Sequence, residues 1–244
     1  MDDCKKTHYL FKIMCAQFAL KMKMKELINK AIRVPEGLES IDERYLPYQK
    51  APVIARNYHR GGVLQLSPMS FSLVPSWSQE EKVKFATHNA RIETVTEKPT
   101  WKMAFQNQHC LVPMTAFFES VYEGPEAGNM ISFERKATLT STDEETEEDS
   151  VLYAAGIFDL WKDPAHQKAN LFSFAILTTE PSDYIKEHGH DRSPLFLNFE
   201  DGKTWIGMMD SPQNMVDFLL NHKTTPMLNV KMERPLKAGW ENKK

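Results

Sequence analysis

A cysteine that heads a polypeptide carries a thiol and a primary amine on adjacent carbons. An aldehyde can condense with that amine, and the thiol can then close a five-membered ring onto the imine. An internal cysteine offers the thiol alone. The pair Met14-Cys15 reads like the start of a protein, yet it follows the polar leader MDDCKKTHYLFKI. An unperturbed α-amine titrates near ~7.7–8.0 and is partly neutral at pH 7, whereas a lysine at ~10.4 stays protonated. Three further stretches set one polar residue each in an ordered context: HNARIETV holds Asn89, TAFFES holds Glu119, and HGHDRSPLFL holds His190. Taken singly, each has a plain alternative. Asn89 suits a turn, Glu119 an edge strand, and His190 the C-terminal end of a helix.

Other catalytic templates are missing. His188-Gly189-His190 and His109-Cys110 lack the paired spacings of a zinc site, so no metal is expected. There is no glycine-rich phosphate loop and no Gly-x-Ser-x-Gly elbow. Cys110, inside the apolar HCLVPM, reads as a core cysteine. Cys4, Cys15 and Cys110 are too few for a disulfide framework. No apolar run approaches the ~20 residues of a membrane span, and the leader lacks a signal-peptide pattern. The expectation is a cytoplasmic protein. Net charge is −3, but six acids crowd into Asp143–Asp149, leaving the remainder mildly basic. That run reads as a solvated loop at about 140–150, and net charge does not decide the partner.

These residues need a scaffold. GVLQLSP, HCLVPMTAFFES, VLYAAGIFDLW, LFSFAILTT and SPLFLNF read as strands, rich in β-branched and aromatic residues and bounded by Gly, Pro or polar clusters. Residues 16–32 place Ala16, Leu20, Met24, Leu27, Ile28 and Ala31 at helical steps. Ser78 and Glu81 suggest a capping box opening a short helix. PSDYIKEHG and SPQNMVDFLLNHK carry the start and stop signals of two more. The acidic run looks like an insertion in a hairpin. The expected fold is α+β, with a curved, mostly antiparallel, barrel-like sheet core flanked by short helices. Residues 14–244 would form a single domain behind a leader at 1–13.

In this order and at these spacings, the motifs together resemble the SRAP (SOS response-associated peptidase) family. Met14-Cys15-Ala16-Gln17-Phe18 stands where the family opens Met-Cys-Gly-Arg-Phe, and Gln49-Lys50-Ala51-Pro52 where it has Asn-x-Ala-Pro. FSLVPSW matches a Trp-Gly-x-x-Pro-x-Trp stretch, and NARIET the family's Asn-Ala-Arg-x-Glu-Thr. HCLVPMTAFFES stands where the family has Cys-Leu-Val-Pro and then Gly-Phe-Tyr-Glu-Trp; HDRSPLFL matches His-Asp-Arg-x-Pro. The resemblance runs from Met14 to about Leu197 and is expected to extend to the end.

The resemblance implies a reaction. Cys15, once N-terminal, would capture the open-chain aldehyde of an abasic site in single-stranded DNA as a thiazolidine crosslink, with a β-elimination lyase side activity. It assigns His190 to opening of the sugar ring, Glu119 to proton shuttling, and Asn89 to orienting amine and sugar. It places Trp77, Arg91, Arg192 and Pro52 against the strand. No cofactor is implied, and the protein would act as a monomer. The chain departs from the pattern at Ala16-Gln17, Gln49, Phe71-Ser72 and Ser120. With the leader attached, Cys15 has only an amide nitrogen. Translation from Met14 followed by methionine removal, or self-cleavage before Cys15, would free its amine. Two other readings stand beside the crosslinking enzyme: a cysteine peptidase acting on its own leader, and a non-catalytic single-strand-binding module.

Overall fold

The computed structural model describes residues 16–57, 61–136 and 151–243. Cys15, the leader and the acidic run lie outside them. The first described element is β1 (Gln17–Lys23), where the expectation was a helix over 16–32. The reason is a period of two: Phe18, Leu20 and Met22 are buried, while Gln17, Ala19, Lys21 and Lys23 face outward. Only the short α1 (Met24–Asn29) is helical, burying Met24 and Leu27 three residues apart.

A five-stranded antiparallel sheet contains β1, β2 (Ser40–Tyr45), β7 (Ala116–Ser120), β8 (Asn129–Arg135) and β13 (Leu228–Pro235), in the order β13-β8-β7-β1-β2. The second layer is a ring built from β3 (Lys50–Asn57), β4 (Val63–Phe71), β6 (His109–Met114), β9 (Leu152–Trp161) and β10 (Leu171–Thr179). Each pairs with the next in the order β4-β3-β6-β9-β10, and β10 returns to β4, closing a barrel whose one parallel seam is β10 with β4. Closure removes the open edges that would otherwise invite pairing with other chains. The fold is α+β and mostly antiparallel.

Short strands extend this ring at one end. β5 (Asn89–Arg91) runs parallel to β10 beyond β4, β11 (Ser193–Pro194) pairs with the end of β10, and β12 (Phe196–Leu197) pairs with β9. One continuous core fills the space between layers, with the Phe71 ring packed against both Phe18 and Phe174.

The stretch HCLVPMTAFFES is two strands rather than one. It breaks at Thr115, passing from the barrel (β6) to the second sheet (β7). Thr115 fastens the crossing: its N–H and hydroxyl donate to the Ala19 carbonyl at 2.8 and 3.3 Å, and Lys21 N–H donates to the hydroxyl at 3.1 Å. The acidic run is not a hairpin insertion, because the strands flanking it, β8 and β9, belong to different sheets. SPLFLNF ends early: Asn198 caps α4 (Phe199–Gly207), accepting from Asp201 N–H at 2.8 Å. No helix opens at Ser78, whose hydroxyl bonds within its own turn to Glu80 while Glu81 pairs with Lys168. The two other expected helices are present as α3 (Asp183–Glu187) and α5 (Pro212–His222), the latter capped by Ser211.

Ser72 adopts φ +136°, in the region that favours glycine, and is 1% exposed. Its hydroxyl finds no hydrogen-bond partner among the described residues. Replacing Ser72 with glycine should therefore relieve both strain and an unsatisfied polar group. Strain of this kind costs ~1–3 kcal/mol, and the added freedom of glycine in the unfolded chain returns about 1 kcal/mol of it. The expected result is a net gain of about 1 kcal/mol, read as a rise of roughly 2–4 °C in thermal midpoint.

Candidate functional site

Glu119 lies on β7 with its neighbours Phe117 and Phe118 alternating to opposite faces. Its carboxylate shares the inward face of Phe117 and is 4% exposed. Phe118 pairs with Gln17, the first residue of β1, so the polypeptide leading through Ala16 arrives beside Glu119. That strand end is held from the outer face. Arg44 on β2 donates to the Gln17 side-chain oxygen from Nε at 3.0 Å and from a terminal nitrogen at 2.6 Å. Its guanidinium also lies over the Phe118 ring, 3.5 Å from the centroid.

His190 approaches from the opposite side. α3 ends in a Schellman turn: Gly189 N–H donates to Lys186 O at 2.9 Å, and His190 N–H to Ile185 O at 3.3 Å. Gly189 takes φ +83°, and a Cβ there would meet the Glu123 carbonyl oxygen at 2.6 Å. The reversal delivers a 7% exposed imidazole to the carboxylate, with His190 Nδ1 3.9 Å from Glu119 Oε2. The Phe133 ring stands edge-on to His190 at 6.1 Å. A carboxylate and an imidazole this close in a water-poor setting are suited to passing protons at a bound reactant.

Asn89 opens β5, and its placement follows from Thr178 of β10. Arg91 pairs with Thr178, Ile92 N–H donates to the Thr178 carbonyl at 3.0 Å, and Arg192 donates to the same carbonyl at 2.6 Å. The segments carrying Asn89 and His190 are therefore tied to one point on the barrel rim. Arg192 sits differently from the expected strand contact. Its guanidinium is buried and makes a bidentate pair with Glu93, at 2.7 and 2.8 Å. Pro52 is likewise buried, within β3. Arg91 is exposed, and Trp77 is 52% exposed with its indole N–H fixed to the Pro99 carbonyl at 3.2 Å. Trp77 thus presents a ring face held in place rather than a core side chain. Cys15 lies outside the described residues, which bring Glu119 and His190 together and anchor Asn89 on the adjoining rim.

Glu93, Thr178 and Arg44 were not singled out in the sequence. Glu93 sits within NARIET and was in view, but a partner 99 residues away leaves no local signal. Partial burial alone would raise the Glu93 carboxyl. Hydrogen bonds from Arg192 and from its own backbone, with the charges of Arg192 and Arg91, outweigh burial and hold it below the ordinary carboxylate value. Its contribution to stability is therefore present above the unfolded value of ~4.3 and lost as pH falls through the lower native one. Glu93→Gln should be less stable than the parent at pH 7 by no more than about 1 kcal/mol, since this carboxylate is half-exposed. The gap should close in acid, as thermal midpoints measured from pH 7 down to pH 3 would reveal.

The remaining candidates for chemistry are internal. Cys110 is buried, and burial pushes its thiol up, away from the reactive thiolate. His109 stacks on Trp205 at 3.9 Å, and its ring nitrogens face the carbonyls of Trp205 and Phe105. Among the described residues no cluster of three or more His, Cys, Asp or Glu could hold a metal ion, and no helix is long and apolar enough to cross a membrane.

Comparison with known proteins gives a consistent set. The abasic site processing protein YoaM of Bacillus subtilis is 27% identical over 219 residues, covering 88% of this chain and 88% of its own. The abasic site processing protein HMCES of Xenopus tropicalis is 27% identical over 157 residues, 60% of this chain and 46% of that protein. A crystal structure of a protein from Bordetella bronchiseptica superposes with a TM-score of 0.69 at 19% identity, covering 90% of this chain and 100% of the other. A second, from Bacteroides thetaiotaomicron, gives a TM-score of 0.66 at 20% identity over 90% of this chain and 92% of that one. The family described as SOS response associated peptidase (SRAP) matches residues 14–233, most of the chain. The chain belongs to the SOS response associated peptidase family.

Proposed function

We propose that this protein processes abasic sites in DNA, and that it does so by covalent capture in single strands through an N-terminal Cys15. The observation that carries the reading is the buried Glu119–His190 pair, placed where the chain enters β1. Residues 1–14 are absent from the active form in this reading, which gives Cys15 a free amine. The leader at 1–13 and the domain at 14–244 are thus separate parts of the chain.

His190 moves a proton at the ring oxygen of the cyclic sugar, releasing the C1′ aldehyde. The Cys15 amine adds to that carbon, and the carbinolamine loses water to leave an imine. Glu119 takes the ammonium proton and returns one to the departing hydroxyl. The Cys15 thiol, its proton passing to the imine nitrogen, then adds to C1′ and closes the thiazolidine. Amine and thiol share one residue, so the second bond forms intramolecularly and gains from high effective concentration. Asn89 orients the amine and sugar from the barrel rim. Trp77 offers a ring face on which a base can stack, and Arg91 a cation for the backbone. Arg192 acts from within, holding β5 to β10 through Glu93 and Thr178, rather than at the phosphate. Elimination from the same imine would give strand cleavage as a side reaction.

The test is direct. Protein beginning at Cys15 is mixed with a single-stranded oligonucleotide carrying one abasic site, then denatured and resolved by gel and intact mass. The expected result is an adduct heavier than the protein by the mass of the strand minus one water. Protein retaining residues 1–14 should give none. Absence of an adduct from the Cys15-initiated chain overturns the covalent reading and favours simple strand binding.

A further inference from the structure

The two proton-handling residues come from separate pieces of chain: Glu119 from the β7–β8 hairpin, and His190 from the turn after α3. A second pair joins the same two pieces. His188 Nδ1 donates to Glu126 Oε1 at 3.1 Å, and both side chains are mostly buried, at 20% and 24% exposure. Glu126 lies on the loop of the hairpin whose strands carry Glu119 and Phe133. The Phe133 ring contacts both histidines, at 5.9 Å from His188 and 6.1 Å from His190. Tyr184, one turn back on α3, closes on His188 edge-on at 4.9 Å. Between the two pairs, Gly189 abuts the Glu123 carbonyl with no room for a side chain.

We propose that Glu126 is a positioning residue for His190, acting through His188. Glu119 and His190 approach to 3.9 Å. The Glu126–His188 bond pins the turn to the hairpin two residues away and so helps to set that distance. Without Glu126 the turn keeps its Schellman bonds, since these are made within α3, but loses its fixed distance from the hairpin. His190 then samples positions out of reach of the sugar oxygen. A misplacement of ~1 Å is enough to cost a large part of a proton-transfer rate. The hydrogen bond also holds His188 in one tautomer and ring orientation.

This inference rests on the covalent reading for its kinetic arm only. Chain beginning at Cys15 is compared with Glu126→Ala and Glu126→Gln by three measurements: the imidazole ¹H–¹⁵N resonances of His190, affinity for an undamaged single strand, and the single-turnover rate of adduct formation. Glu126→Ala is expected to move the His190 resonances and slow adduct formation about tenfold, with strand affinity within about twofold. Glu126→Gln, whose amide oxygen still accepts from His188, should stay near the parent in all three. Should the alanine variant not fold, His188→Phe keeps the ring packing against Tyr184 and Phe133, removes the donor, and carries the same expectations. Unmoved resonances and rate in the alanine or phenylalanine variant, or a glutamine variant as impaired as alanine, overturn the proposal. If the parent itself forms no adduct, the covalent reading fails, and the His190 resonances alone decide the positioning role.

Discussion

Glu119→Gln should slow adduct formation by about 10²-fold or more while leaving the fold and strand affinity close to those of the parent. The substitution is nearly isosteric, so packing around this 4% exposed side chain changes little. What it removes is the ability to take and return a proton, and general acid–base catalysis contributes ~10²–10⁴ in rate. Release of the crosslink runs the same steps backwards, so its rate should fall by a similar factor. A time course of adduct formation, with a chase by aldehyde-free conditions to follow reversal, measures both. Rates unchanged in either direction would remove Glu119 from the chemistry and leave it a structural carboxylate.

Gly189→Ala is the second large effect, and here fold and site fail together. The new methyl would lie 2.6 Å from the Glu123 carbonyl oxygen and 3.3 Å from Val121 Cγ1, on a backbone at φ +83°. The backbone conformation alone costs a non-glycine residue ~1–2 kcal/mol. Relief of the clash requires the turn and the hairpin to separate, so the total should reach about 2–4 kcal/mol, or roughly 4–16 °C in thermal midpoint. Because those two pieces carry His190 and Glu119, adduct formation should fall at least as far as in the Glu119 variant. Gly37→Ala is the control. Gly37 has φ +76° but nothing within 4 Å of a Cβ, so it should cost only the same conformational ~1–2 kcal/mol and leave the reaction intact.

Legibility in the sequence followed the range of the interactions. Strands with internal alternation or dense β-branched runs, such as VLYAAGIFDLW and LFSFAILTT, were visible, as were the helix after Ser211 and the glycine stop at 189. β1 was misread because Ala16, Leu20, Met24 and Leu27 fit a helical face across a boundary. The stronger local fact was polar–apolar alternation from Gln17 to Lys23, confirmed by pairing with β2 and β7. Thr115 gave no sign of a change of sheet, because both flanking segments are buried strands of similar composition. Arg192 was assigned to the strand through family likeness, and the fate of its guanidinium depends on what folds against it. Glu93 is 99 residues away, and only the pairing of β5 with β10 brings them together. Glu119 and His190 were named through family likeness; their mutual distance, and the Glu126–His188 pair beside them, belong to the tertiary structure alone.

The path of the chain between layers bears on its synthesis. The five-stranded sheet takes its strands from residues 17–45, 116–135 and 228–235, with barrel strands made in between. On the ribosome, neither layer can be completed from a contiguous stretch, and β8 has no neighbour on its outer side until Leu228–Pro235 emerges. Until then the edge of Asn129–Arg135, with Met130, Ile131 and Phe133, stands open to pairing with other nascent chains. A translation product halted before Leu228 would therefore be expected to accumulate as insoluble aggregate, although every residue of the Glu119–His190 pair had already been made.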